Sequence, residues 1–147
     1  MCLTIYMASE HELPLVPWRE DAPDFYIDEP DGRAMVKQYF TLPYIAYVGS
    51  DQGCGCGFIK EGNIGDDLEI VDGQYRKLAR YIENLSVTEA SVQIYCYWDG
   101  QQGSGPEFNE SIHISNLLSS EFEFKEDTFY QISNKTNIEA GIVHAAE

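Results

Sequence analysis

The segment Gly53-Cys54-Gly55-Cys56-Gly57 puts two thiols on the most permissive backbone of this sequence. Cysteines at i and i+2 on an extended chain point to the same side. The glycines on either flank let the chain curl around a ligand. As metal ligands, Cys54 and Cys56 offer two thiolates to a soft ion such as Zn²⁺ or Cu⁺. Zinc usually takes four ligands, and no second close pair of Cys or His follows in the sequence. Cys2, Cys96, His11, His113 and His144 stand singly, so the fold would have to bring any of them in. As a redox pair, Cys54 and Cys56 would close a small, strained and therefore labile ring. That chemistry needs an acidified thiol, yet the nearest charged neighbours are Asp51 and Lys60, and a carboxylate works against thiol ionisation. The plainer reading makes both cysteines small apolar fillers of a tight glycine turn.

Other candidates are weaker in chemical logic. Asp99, between Trp98 and Gly100, is a strand-end carboxylate beside a second glycine-rich loop, a position that suits a ligand. An Asp-Gly pair also caps turns without further purpose. Cys2 would be a nucleophile with its own amine as base if it headed the chain, but it opens a strand pattern like an ordinary residue. His113 lies between Ile112 and Ile114, as a hydrogen-bonded strand residue would, and His11 sits between Glu10 and Glu12 in a polar turn. The glycine loop lacks the Lys-Ser/Thr of a phosphate-binding loop and carries Asp51, so it is not read as an anion site.

Composition limits the classes. The chain has 147 residues with nine Lys and Arg against 25 Asp and Glu, a formal charge of −16. Phosphate backbones need clustered cations, so nucleic acid is not an expected partner. An anionic membrane surface is disfavoured for the same reason, and no apolar run is long enough to span a bilayer. The opening Met1-Cys2-Leu3-Thr4 has no basic segment and reads as no signal peptide. The expected location is cytoplasmic, with reduced thiols. The acidic surface suits a basic protein partner.

Which elements hold these residues? Leu3, Ile5 and Met7 alternate with Thr4 and Tyr6 as in a strand. Phe25 to Ile27 and Pro43 to Val48 read as further strands, with an ambiguous short helix over 33–40 between them. Residues 61–72 read as an acidic linker ending in Asp72, an N-cap for a helix over 73–85. On that helix Tyr75, Leu78, Ala79, Ile82 and Leu85 share a face. Ser91 to Trp98 is the strongest strand, with Val92, Ile94 and Cys96 on one side and Gln93, Tyr95 and Tyr97 on the other. Residues 111–118 read as strand or turn, and Phe122, Phe124, Phe129, Tyr130 and Ile132 as a final strand pair around Glu126-Asp127. The expected architecture is a single α+β domain over residues 1–132, a mainly antiparallel or mixed sheet with one helix packed on it, followed by a tail at 133–147.

The segment from Tyr44 to Phe58, the later Cys96-Tyr97-Trp98-Asp99-Gly100 and the opening Thr4 to Trp18 resemble a group of small bacterial proteins. That resemblance covers about a quarter of the chain and implies no chemistry. It implies a bacterial origin and singles out the two loops. Three functional readings follow in order. The first is an acidic cytoplasmic binding protein without a required cofactor. The second is a thiol site at Cys54 and Cys56 for zinc, copper or redox work. The third is a small-molecule enzyme using Asp99 and a His. Whether the chain is an enzyme is left open by its residues.

Overall fold

Runs of β-branched and aromatic residues become strands: β1 (Leu3–Ser9), β2 (Tyr26–Asp28), β3 (Tyr44–Gly49), β4 (Ser91–Trp98), β5 (Phe108–His113) and β6 (Thr128–Ser133). One long helix, α1 (Gly65–Leu85), lies between β3 and β4. The computed structural model describes residues 2–30, 34–85, 91–100 and 104–134. The strands form one six-stranded sheet in the order β2-β3-β1-β4-β6-β5. Every pairing is antiparallel except that of β5 with β6. One helix on a mixed sheet is the α+β arrangement that the alternating pattern predicts.

The central strands are buried on both faces. On one, Leu3, Ile5 and Met7 of β1 join Ile94 and Cys96 of β4 against Val71, Tyr75, Leu78 and Ile82 of α1. On the other, Tyr6, Tyr95, Tyr97 and Phe129 pack with Val36 and Phe40. Val36 belongs to a short 3₁₀ turn, Ala34–Tyr39, where the sequence is ambiguous. The buried Gln93 fastens the chain that follows this turn. Its Oε1 accepts from the backbone N–H of Thr41 at 3.0 Å and of Leu42 at 3.3 Å, while its Nε2 donates to the Thr41 hydroxyl at 2.6 Å. A buried amide that satisfies its own polar atoms this way adds specificity without an orphan group.

Two expectations are corrected. Residues 61–72 are not a linker up to Asp72, because α1 begins at Gly65. Asp66 and Asp67 stand in its first turn, where carboxylates offset the positive end of the helix dipole. The acidic run that looks like a linker is thus a helix start. Nor do Phe122 and Phe124 form a strand. Only Thr128–Ser133 pairs, and the 122–124 segment packs its rings on Tyr75 and Tyr130. Its backbone needs no ladder partner, because the Tyr75 hydroxyl accepts from Phe124 N–H at 3.0 Å and the Tyr130 hydroxyl from Lys125 N–H at 2.9 Å. The C-terminal tail lies outside the described residues from 135 onward.

Tyr75 ties three segments together, since its hydroxyl also donates to the Phe58 carbonyl at 2.6 Å. The side chain is buried between helix and sheet. Replacing it with Phe keeps the ring and orphans a buried N–H and a buried carbonyl. Tyr75→Phe is expected to cost about 1–3 kcal/mol, read as a lower urea midpoint with an unchanged m-value.

Candidate metal centre

The glycine loop is organised around Ser50. The Ser50 hydroxyl donates to the Cys54 carbonyl at 2.6 Å and accepts from Gly57 N–H at 2.9 Å and Gln52 N–H at 3.2 Å. Ser50 N–H also donates to the Cys54 carbonyl, at 2.9 Å. From outside, Gln74 of α1 accepts from Asp51 N–H at 3.1 Å, and the Tyr26 hydroxyl donates to the Gly53 carbonyl at 2.6 Å. Helix, edge strand and loop therefore share one hydrogen-bond network.

Glycine is required here by close approach. A Cβ at Gly55 would lie 2.5 Å from the Leu3 carbonyl oxygen, and one at Gly57 would lie 2.2 Å from the Ser50 hydroxyl. Only a bare backbone allows the loop to rest on the start of β1. The contact is fastened by Leu3 N–H, which donates to the Cys56 sulfur at 3.3 Å. Cys54 is extended at φ −156°, and its sulfur accepts from Cys56 N–H at 3.4 Å as the loop turns into a short 3₁₀ segment, Gly55–Phe58.

This packing brings a third thiol to the pair. The sulfurs of Cys2, Cys54 and Cys56 all lie within 4.8 Å of one another. Cys2 is held just before β1, its carbonyl accepting from Asp99 N–H at 2.8 Å. No spacing rule reveals Cys2 as a partner, because the contact is made across the sheet. All three cysteines are free thiols, with Cys2 exposed and Cys54 and Cys56 half-buried. Cys96 is buried on the helix-facing side of β4 and does not join this group.

Burial pushes the Cys54 thiol up to about 12, with the Cys2 and Cys56 thiols beside it opposing ionisation further. The sequence points to Asp51 as the cause of a raised value, whereas the structure assigns it to desolvation and to the other sulfurs. A thiol kept protonated is a poor nucleophile, which counts against the redox reading. It does not count against metal binding, because a cation replaces the protons and removes the repulsion between thiolates.

Two clefts flank the thiols. One, of about 390 Å³, is lined by Cys2, Cys54, Tyr26, Tyr47, Tyr97 and Asp99. The other, of about 320 Å³, holds Cys56 with Asp51, whose Oδ1 is buried without a hydrogen-bond partner among the described residues. Asp99 thus lies in a cleft beside the thiols without joining the cluster of possible ligand atoms. None of the described histidines lines that cleft. His113 instead caps a 3₁₀ turn, its Nδ1 accepting from Ser115 N–H at 3.1 Å. His11 is exposed, and His144 lies outside the described residues.

The fold and site define a small α+β protein with three thiols gathered at one end of its sheet. No protein family matches the chain, and no curated protein or solved structure matches it.

Two outcomes follow. Because folding raises the Cys54 value from 9.0 to about 12, its contribution to stability is complete below pH 9 and is lost as pH rises between these values. The metal-free protein is therefore expected to lose stability across that range in urea titrations, and Cys54→Ser to flatten the slope. Gly55→Ala is expected to cost about 1–3 kcal/mol, because the Leu3 carbonyl is backbone and cannot swing aside. The same change separates the thiols, so a dithiol-selective arsenical should label Gly55→Ala more slowly than the parent.

Proposed function

We propose that this chain is a small acidic binding protein that captures a soft metal ion, Zn²⁺ or Cu⁺, with Cys2, Cys54 and Cys56. The observation that carries the reading is the arrival of Cys2 beside the two loop thiols, with all three sulfurs within 4.8 Å. Sulfurs around one zinc at 2.3 Å stand about 3.8 Å apart, so a contraction of an ångström or less suffices. Three thiolates fill a trigonal Cu⁺ site, or leave Zn²⁺ one position open toward solvent. The surface charge of −16 raises the local concentration of cations and suits a basic protein partner.

The reading carries a setting with it. Free thiols persist in reducing compartments, which supports a cytoplasmic location. The resemblance of the two loops supports a bacterial source. Among the described residues, no helix is long and apolar enough to cross a membrane.

Untagged protein, purified under reducing conditions and titrated with Zn²⁺ or Cu⁺, is expected to take up one ion per chain. Binding at neutral pH should release about three protons, one for each thiol that becomes a ligand. Each of Cys2→Ser, Cys54→Ser and Cys56→Ser should weaken binding by about a hundredfold or more, since even an outer-shell change costs up to that. Cys96→Ser should leave affinity unchanged. An affinity that survives Cys2→Ser, or uptake no greater than that of the triple variant, would overturn the reading.

A further inference from the structure

A second site lies on the helix-facing side of the same sheet end. There a cleft of about 640 Å³ opens between the start of β1, the end of β4 and the edge strand β5. Its floor is apolar, formed by Leu3, Ile59, Trp98 and Phe124. Phe108 forms one wall and is 56% exposed. With Trp98 and Phe124 it gives the cleft an aromatic lining. The volume falls within the roughly 300–1,000 Å³ of small-molecule sites.

The rim gives the charge of the occupant. Glu61, Glu110, Glu123 and Glu126 stand around the opening with a single cation, Lys125. Glu123 already accepts from the backbone N–H groups of Lys60 and Glu61, so it is built into the fold. Glu61, Glu110 and Glu126 make no ion pair among the described residues. An anion would meet a surplus of carboxylates. An ammonium group would find several acceptors close to a π surface, where cation–π attraction adds to charge attraction.

We propose that this cleft binds a small organic cation with an apolar body, an arylalkylammonium or a close equivalent. The apolar part lies on Trp98 and Phe124 against Phe108, and the ammonium faces Glu61, Glu110 and Glu126. The site shares no ligand atom with the three thiols, so it stands whether or not a metal is bound there.

The test uses the fluorescence of Trp98 in a Trp18→Phe background, Trp18 being the other tryptophan and exposed at the surface. Three probes of one shape are titrated: phenethylammonium, neutral 2-phenylethanol and anionic 3-phenylpropanoate. The ammonium is expected to bind about tenfold or more tightly than the alcohol, and the carboxylate more weakly than either. Phe108→Ala should weaken ammonium binding several-fold while leaving the fold intact, because this side chain is exposed. Glu110→Gln with Glu126→Gln should erase most of the preference for the cation. Cys54→Ser should leave all three affinities unchanged, which separates this site from the metal centre. Equal affinity for the three probes, insensitivity to Phe108→Ala, or binding only to a basic peptide and not to phenethylammonium would overturn the proposal.

Discussion

The approach of the Gly55 backbone to the Leu3 carbonyl is the contact on which the thiol cluster depends. It joins the glycine loop to the first residue of a central strand. That strand is itself immobilised by antiparallel neighbours on both sides. A side chain at position 55 would clash with the Leu3 carbonyl and push the loop off the strand. With the loop seated, Leu3 N–H points at the Cys56 sulfur and Cys2 comes to rest against the pair. The geometry of the site is therefore a consequence of packing that has nothing to do with sulfur chemistry.

The same logic explains how a loop rich in glycine is tied down by hydrogen bonds. Ser50 collects three hydrogen bonds through its hydroxyl and is fully buried. Gln74, also buried, connects the loop to α1, and passes the connection on by donating to Asp24 at 3.1 Å. Lys77 pairs with the same carboxylate, whose pKa is lowered by these hydrogen bonds against the opposing effect of burial. Rigid support of this kind holds ligand atoms near their bound positions. A flexible glycine loop would have to lose its conformational entropy on binding.

The sheet also separates two environments at one end. On the face opposite α1, Cys2 and Cys54 border a cleft with tyrosines and the exposed Asp99. On the face that carries α1, Trp98 and Phe108 border a larger apolar cleft with a glutamate rim. Adjacent residues of β1 and β4 alternate between the two faces, as strand geometry demands. The acidic excess of the chain thus has a local expression, with carboxylates gathered where cations would enter.

Strand positions, the two faces of β4, the helix face of Tyr75, Leu78 and Ile82, and the oddity of the Cys54–Cys56 loop were legible in the residues themselves. Each is a matter of local period or of a neighbour one or two positions away, and side-chain direction follows from backbone geometry alone. The start of α1 was hidden because acidic residues serve a solvated loop and a helix N-terminus equally well. The role of Phe122 and Phe124 was hidden because tyrosine hydroxyls, far away in sequence, satisfy their segment's backbone. Cys2 is the sharpest case: nothing in its own neighbourhood distinguishes it from any strand-opening residue. The amino-acid sequence determined a sheet with one helix and a pair of thiols on glycine hinges. Only the tertiary structure decided that a third sulfur joins them, because that contact is made by packing between distant segments and leaves no periodic trace along the chain.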